Sequence, residues 1–242
     1  YETKLENFFS KKVIMVTGAA GSIGSEVVEQ LINYNPKKII CLDNNEFSVF
    51  NLSKRIESKN YKNPPIIIIG DVKNKNKLEK LIKNYNPDVV IHAAGMNAQE
   101  CLKDPEGALN LNGDGTRRLA KAACNAGVKK FIYLSTAHVY SSPLAGSITE
   151  KTETLNLHPY ATSHLAGENA LIEIGNSTRM WTIVMRLSNA FGAPSHLKVN
   201  CWMLLVNDLC RQAIETKKLT VKSDGSQLRD FPPFEIVDFQ IR

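Results

Sequence analysis

Short runs of β-branched and other apolar residues alternate along the chain with longer segments in which apolar residues recur every three or four positions. The short runs predict buried strands at 13–17, 38–42, 66–69, 88–92, 131–135 and 181–186. The longer segments predict helices at 22–33, 52–58, 75–84, 115–126 and 160–174. Such βα alternation is typical of a doubly wound parallel sheet covered by helices on both faces, so we predict an α/β fold.

Length and composition limit what such a fold can contain. With 242 residues, of which 43% are hydrophobic, the chain can bury one sizeable core but has little left for a second full domain. We expect an extension over 1–11, a main domain over 12–186 and a smaller region over 187–242. The chain has no run of about eighteen apolar residues, and its charged opening suits neither a signal peptide nor a membrane span. We therefore predict a soluble, cytoplasmic protein without a membrane partner.

The formal charge of +6 raises the question of a nucleic-acid partner. The basic residues are dispersed and form no stripe interleaved with aromatic residues, so we predict no nucleic-acid binding. The densest basic cluster, at 73–83, contains Leu78, Leu81 and Ile82 at helical spacing, which indicates the solvated face of a helix. A mild positive field also favours a phosphorylated small substrate.

The cysteines carry no sign of a metal site or a redox centre. Cys41, Cys101, Cys124, Cys201 and Cys210 are odd in number, widely spaced and without C-x-x-C or Cys/His metal spacing. We expect reduced structural thiols and no bound metal.

The glycine-rich turn that follows the first strand reads TGAAGSIG and opens directly into a helix. Gly18, Gly21 and Gly24 permit a tight turn and a close approach of the backbone to a pyrophosphate, while Ser22 and Ile23 begin a helix whose N–H groups face the phosphates. The spacing is G-x-x-G-x-x-G, not the commoner G-x-G-x-x-G. A glycine turn alone also fits a simple structural role, but its position between strand and helix favours dinucleotide binding.

An acidic residue stands at the distance from this turn that a dinucleotide site requires. Asp43 ends the second strand about 20 residues past the glycines, where a carboxylate bonds the adenosine ribose and repels a 2′-phosphate. NAD is therefore favoured over NADP, although Asp43 can also form a turn with the asparagines after it. Asp71 and Val72 follow the third strand and are candidates to border the adenine, with a turn as the alternative for Asp71.

Further segments resemble the extended short-chain dehydrogenase/reductase family, the group of nucleotide-sugar epimerases, dehydratases and reductases. They are HAAG at 92–95, NGDGT at 112–116, STAHVY at 135–140, RLSNAFGAP at 186–194 and GSQLRDF at 225–231. These matches run in family order through most of the chain. The resemblance implies a Rossmann fold with NAD as cofactor over 12–186, and a nucleotide-sugar substrate held partly by 187–242.

The same resemblance implies roles for individual residues. Residues expected at the cofactor, besides the glycine turn and the two aspartates, are Val72, Ala93, Ala94, Gly95, Asn112, Tyr160 and His164. Thr136 would hydrogen-bond the sugar hydroxyl that is oxidised, with Tyr160 as acid and base. Asn189 and Arg229 would hold the nucleotide diphosphate. A threonine ending a strand can also merely pack or cap, and Arg229 can also pair with Asp230.

One departure from the family pattern falls in the catalytic helix. The family motif Y-x-x-x-K is replaced by Tyr160-Ala161-Thr162-Ser163-His164. Residues four apart share a helix face, so we expect His164 beside Tyr160. His164 can donate a hydrogen bond to the nicotinamide ribose and, when protonated, favour the phenolate of Tyr160. A catalytically idle histidine is the alternative.

A second departure narrows the reaction. Dehydratases of this family carry an Asp-Glu pair after the active-site threonine, whereas this chain has Ala137-His138. We therefore predict epimerisation ahead of simple dehydrogenation or reduction, and the resemblance implies that the oxidised hydroxyl is the one at C4 of the sugar. A dehydratase stays open because the region from Gly18 to Glu46 resembles the polysaccharide-biosynthesis dehydratase branch. A non-catalytic NAD-binding regulatory protein is the rival of another class.

Two expectations concern the whole assembly. The family generally continues beyond the R-D-F segment with further helices and strands, so we expect the C-terminal substrate-binding part to be incomplete here. Family relatives commonly pair two helices across a two-fold axis, and small residues lie on the matching helices of this chain. These are Ala120, Ala123, Ala166 and Ala170. We expect a homodimer built on a four-helix bundle.

Overall fold

A computed structural model describes residues 2–141, 144, 146–189, 191–192, 202, 204–221 and 224. Its contacts divide the chain into two compact units, Tyr1–Arg186 and Leu187–Arg242. Within the described residues, no helix is both long and apolar enough to cross a membrane.

The first unit alternates strands and helices. Its strands are β1 (Val13–Thr17), β2 (Lys38–Asp43), β3 (Ile66–Ile69), β4 (Val89–His92), β5 (Lys130–Thr136) and β6, which runs as Trp181–Leu187. Its helices are α1 (Glu2–Phe9), α2 (Ser22–Ile32), α3 (Glu46–Ser58), α4 (Lys75–Tyr85), α5 (Ala98–Lys103), α6 (Pro105–Ala108), α7 (Thr116–Asn125) and α8 (Pro159–Ser177). A π-helix covers Leu109–Gly115 and a 3₁₀ turn covers Ala137–Val139. In the second unit, α9 spans Leu205–Glu215.

The strands form one sheet in the order β3-β2-β1-β4-β5-β6. The central strand β1 pairs in parallel with both neighbours, so that Met15 lies opposite Ile40 on one side and Val90 on the other. The order reverses between β1 and β4, which is the switch point where open α/β sheets bind ligands at the carboxyl ends of their strands. The predicted doubly wound Rossmann fold is confirmed.

One large cluster of the core lies between the sheet and helices α4, α7 and α8. Leu78 and Ile82 of α4 and Leu119 of α7 are fully buried against Phe131 and Tyr133 of β5. All four residues of β4 are buried, as expected for a central parallel strand. Polar side chains also enter this interior near the carboxyl ends of the strands, among them His92 with no exposed surface.

The strand predictions agree with the structure to within one or two residues, but several helices were missed. Helix α3 begins six positions earlier than predicted because the side chain of Asn45 caps it by accepting from the backbone N–H of Ser48. Helix α1 was treated as an extension, yet Leu5, Phe8 and Phe9 are buried in the first unit. Their spacing of three and four residues is a helical signal that the sequence already contained.

Candidate active site

The glycine turn lies at the carboxyl end of β1, and close approach explains its glycines. Gly18 has φ 67°, and a Cβ atom there would lie 2.5 Å from the backbone nitrogen of Ala94. A Cβ at Gly24 would lie 2.0 Å from the carbonyl oxygen of Gly18. Gly21 is the N-cap of α2 and supplies no side chain to its first N–H groups. Those donors are the ones that a pyrophosphate would need, so the turn fits a dinucleotide.

A cleft of about 590 Å³ opens beside this turn. Eight of the predicted cofactor residues line it, namely Gly18, Gly21, Asp43, Asp71, Val72, Ala93, Ala94 and Gly95. Further lining residues that sequence reasoning missed include Asn45, Ser48, Lys73, Met96, Asn97 and Glu100. Most of these lie just beyond strand ends, and that position along the chain is the signal that could have found them.

Asp43 holds the turn together as well as facing the cleft. Its Oδ2 accepts from the backbone N–H of Ala20 at 2.9 Å, and its Oδ1 accepts from that of Asn45 at 3.0 Å. A carboxylate has about four acceptor sites, so two remain for ribose hydroxyls. The turn-forming and ribose-binding interpretations of Asp43 are therefore compatible.

Asp71 lines the cleft together with a basic residue, Lys73. Its Oδ1 accepts from the backbone N–H of Lys73 at 2.8 Å, and its Oδ2 lies 3.5 Å from the Lys73 ammonium. Half of the Lys73 side chain is exposed, so this ion pair is weak. The cleft lining thus includes the Lys73 cation beside Asp71, which the sequence analysis did not predict.

Asn112 lies behind the cleft wall, and its predicted contact with the cofactor stays a prediction. The residue is fully buried in the π-helix and does not line the cleft. Its Oδ1 accepts from the Met96 N–H at 2.8 Å, and its Nδ2 donates to the Ser163 hydroxyl at 3.0 Å. The amide therefore ties the loop after β4 to α8. π-helical turns are frequent at functional sites.

Thr136 and Tyr160 meet where β5 ends and α8 begins. The Thr136 Oγ1 accepts from the backbone N–H of His138 at 3.1 Å, as the capping alternative expects. The Thr136 side chain also lies close enough to the Tyr160 phenol to lower its pKa. The Nδ1 of His158 accepts the backbone N–H of Tyr160 at 3.1 Å and caps α8. Burial raises the pKa of Tyr160, and the nearby Thr136 side chain offsets part of that rise.

His164 lies one turn further along α8, as expected. Its ring centroid is 4.6 Å from that of Tyr160, and its Nδ1 is 2.8 Å from the Tyr133 hydroxyl. Burial lowers the pKa of His164 to about 4. The ring is therefore neutral at neutral pH, which favours the hydrogen-bonding role of His164 over the charged one.

The predicted substrate residues fall in the second unit or outside the described part. Asn189 follows β6 and belongs to the second unit. Arg229 and the segment 225–231 lie outside the described residues. In the second unit, the side chain of Asn207 bonds to both backbone groups of Gly192.

Comparison with known proteins identifies the family. The profile of the NAD dependent epimerase/dehydratase family matches residues 14–232. UDP-glucose 4-epimerase of Pisum sativum is 32% identical over 76% of this chain and 54% of its own length. The capsular polysaccharide biosynthesis protein CapD of Staphylococcus aureus is 35% identical over 52% of this chain and 22% of its own. The chain thus spans about half or less of these curated relatives.

Comparison with solved structures supports the same family. The UDP-N-acetylglucosamine 4-epimerase from Methanobrevibacter ruminantium M1, in complex with UDP-N-acetylmuramic acid, superposes with a TM-score of 0.80. It is 26% identical, with 94% of this chain and 70% of that one covered. The chain therefore belongs to the NAD dependent epimerase/dehydratase family. The resemblance drawn from the sequence and NAD as the family's cofactor are confirmed.

Proposed function

We propose that the protein is a nucleotide-sugar epimerase that oxidises a sugar hydroxyl, at C4, with Tyr160 as acid and base and Thr136 holding the reacting oxygen. The observation that carries this proposal is the closeness of the buried Thr136 and Tyr160 side chains, which is enough for Thr136 to lower the Tyr160 pKa. It brings two hydroxyls together at the carboxyl edge of the sheet that also holds the glycine turn. A sugar hydroxyl inserted between them would meet a donor, an acceptor and a proton carrier at once.

The cleft residues fit NAD. Ser22, Ile23 and Gly24 begin α2 with N–H groups for the pyrophosphate, and Asp43 has acceptor sites left for the adenosine ribose. The edge of His164 that carries Nε2 lies beside Gly95 of the cleft wall, in reach of the nicotinamide ribose on this proposal. When bound, NAD accepts a hydride from the sugar carbon and can return it.

The protein's own work is positioning and proton transfer. Thr136 holds the hydroxyl oxygen, and Tyr160 as phenolate takes its proton during oxidation. During reduction Tyr160 returns a proton to the same oxygen. If the hydride returns to the opposite face of the ketone, the carbon is inverted and the net redox change is zero. Because burial raises the pKa of Tyr160, formation of the phenolate limits the rate at neutral pH.

The nucleotide-sugar substrate is proposed from the relatives and the predicted diphosphate contacts. Asn189 and Arg229 are proposed to bind the diphosphate, the arginine as a charge-assisted donor. The net charge of +6 suits such a dianionic substrate. Without a carboxylate pair after Thr136, water elimination lacks its usual acid and base, which favours epimerisation over dehydration.

A second candidate is a non-catalytic NAD-binding protein. It is favoured by one observation, the neutral His164 in place of a charged lysine beside Tyr160.

The experiment that separates these functions incubates the full-length protein with NAD and a panel of nucleotide sugars, following the sugar by NMR and the cofactor by absorbance. Inverted sugar without accumulated NADH supports an epimerase, accumulated NADH a dehydrogenase, and neither product the binding protein. The variant Tyr160→Phe is the matched control and is expected to be inactive.

We also propose a homodimer built on α7 and α8. Exposed apolar residues, and not the alanines, support it. Ala120, Ala123 and Ala170 are fully buried within one chain, so these alanines pack its own core and do not form an outer face. Ile172 of α8 and Leu109 of the π-helix remain 45% and 49% exposed, and these are the apolar groups that a partner would cover. Light scattering that shows a monomer at micromolar concentration would refute the dimer.

A further inference from the structure

A line of buried polar side chains runs behind the candidate site. The Tyr133 hydroxyl contacts the Nδ1 of His164 at 2.8 Å, and it neighbours Thr116. The Thr116 Oγ1 contacts the Nε2 of His92 at 2.9 Å, and the Nδ1 of His92 contacts the Thr17 hydroxyl at 2.6 Å. Thr17, His92, Thr116 and Tyr133 have no exposed surface. In such a setting the position of each proton is fixed by its partners.

The proton positions at one end follow from counting donors. The Thr116 hydroxyl lies 2.6 Å from the carbonyl oxygen of Asn112, which has no proton to give, so Thr116 donates there. Thr116 must then receive the Nε2–H of His92. Burial lowers the pKa of His92 to about 3, so the ring is neutral and its Nδ1 accepts from the Thr17 hydroxyl.

The Tyr133 hydroxyl has one proton to donate and two possible acceptors, the Nδ1 of His164 and the Thr116 oxygen. Burial raises the pKa of Tyr133 far above its usual value, so the phenol keeps its proton at any working pH. The Thr116 oxygen already receives a proton from His92. The Nδ1 of His164 is the more basic of the two acceptors even though burial lowers the imidazole pKa to about 4, since an alcohol oxygen is far less basic than an imidazole nitrogen. Donation from Tyr133 to Nδ1 is therefore favoured.

We infer that Tyr133 is a positioning residue that holds His164 as its Nε2–H tautomer, with the remaining N–H beside Gly95 at the wall of the cofactor cleft. A Cβ atom on Gly95 would lie 3.7 Å from Nε2, so the missing side chain keeps that edge of the ring next to the cleft. His164 then supplies a hydrogen-bond donor without supplying a charge. This inference rests on the proposed function for its consequence, which is donation to the nicotinamide ribose, but not for the tautomer itself.

The tautomer can be measured on the unmodified protein. Side-chain nitrogen NMR of ¹⁵N-labelled protein distinguishes protonated from bare imidazole nitrogens, and His164→Gln assigns the resonance by its loss. The expected result is a protonated Nε2 and a bare Nδ1 for His164. A protonated Nδ1 would overturn the inference, since Tyr133 would then accept from His164. No substrate or turnover is needed, so failure of the epimerase proposal leaves this measurement intact.

Replacing the donor tests the positioning role. Tyr133→Phe is expected to shift His164 towards the Nδ1–H tautomer and to weaken NAD binding by about threefold to tenfold, the effect of one neutral hydrogen bond. Tyr85→Phe, the same chemical change at the end of α4, is the matched control and should alter neither. An unchanged tautomer or an unchanged NAD affinity in Tyr133→Phe would refute the role. Binding is measured by calorimetry with NAD alone.

Discussion

The imidazole of His164 packs edge-on against the phenol of Tyr160, with 4.6 Å between the ring centroids and an interplanar angle of 68°. The contact is close enough for a charge on one ring to act strongly on the other. His164 is buried and neutral, however, so it gives Tyr160 no such charge. The electrostatic help that a lysine would provide is therefore missing, while the geometric relationship between the two positions is kept. The pH dependence of the reaction should record this difference.

The first prediction is a rate that rises with pH. Because burial raises the pKa of Tyr160 and His164 need not be protonated, the phenolate fraction grows through the whole neutral range. The rate of sugar oxidation should increase by up to about tenfold per pH unit between about pH 6 and 9. The measurement is kcat across that range, with Tyr160→Phe inactive throughout. A bell-shaped profile falling above about pH 6.5 would instead restore a protonated His164 as the active form.

The second prediction concerns a restored charge. In His164→Lys, an ammonium beside Tyr160 should lower the pKa of the tyrosine by about one to two units and raise the rate at pH 7 by about tenfold to a hundredfold. His164→Gln is the matched control, because it offers hydrogen bonds without a charge and should give no such gain. Both variants need a folding check by circular dichroism. Equal rates in the lysine and glutamine variants would show that charge at position 164 does not control Tyr160.

The sheet and part of the candidate site could be predicted from the sequence, because they depend on hydrophobic periodicity and on which residues end each strand. Hydrophobic periodicity predicted the strands, and the carboxyl ends of those strands indicated where Asp43 and Thr136 would lie. The hydrogen bond from Tyr133 to His164 was not predictable, since nothing in the strand pattern of β5 distinguishes this tyrosine from an ordinary core residue. The position of Asn112 behind the cleft depends on a π-helical turn, and that turn forms through tertiary contacts with α8.

The third prediction concerns cofactor choice. Asp43 lines the cleft and is proposed to bond the adenosine ribose, so NAD should bind at least about tenfold more tightly than NADP. Asp43→Asn keeps an acceptor for one backbone N–H of the turn but removes the charge, and it should reduce that preference to about threefold or less. Glu57→Gln is the matched control, because it removes the same charge from an exposed position on α3 that does not line the cleft. Calorimetry with both cofactors decides the matter, and equal affinity in the parent would show that Asp43 does not select NAD.

The fourth prediction concerns stability in mild acid. His92 and His164 have pKa values lowered to about 3 and about 4, so the unfolded chain takes up protons near pH 6.5 that the folded chain refuses. The unfolding free energy that the two neutral rings contribute is fully present above about pH 6.5. It is lost as the pH falls towards their pKa values. Each should remove about 1.4 kcal/mol of unfolding free energy per pH unit within that window. Urea unfolding at about pH 7, 6 and 5 measures the slope. His164→Gln should halve it, and a flat pH dependence would contradict the burial of neutral rings.

The last prediction concerns the ion pair that anchors α8 to the sheet. Glu168 has no exposed surface, and Arg186 of β6 donates to it twice, from Nε at 3.0 Å and from Nη2 at 2.6 Å. Glu168 also accepts from the Ser135 hydroxyl, so three elements meet at one carboxylate. Removing one partner of a buried pair leaves an uncompensated charge, and Glu168→Gln should therefore cost about 3–5 kcal/mol of unfolding free energy. Glu173→Gln on the same helix is the matched control, because its 2.8 Å pair with Arg117 is exposed and should contribute under about 1 kcal/mol. Chemical denaturation of both variants gives the comparison. Equal and small losses would mean that water reaches Arg186 freely enough to replace the carboxylate.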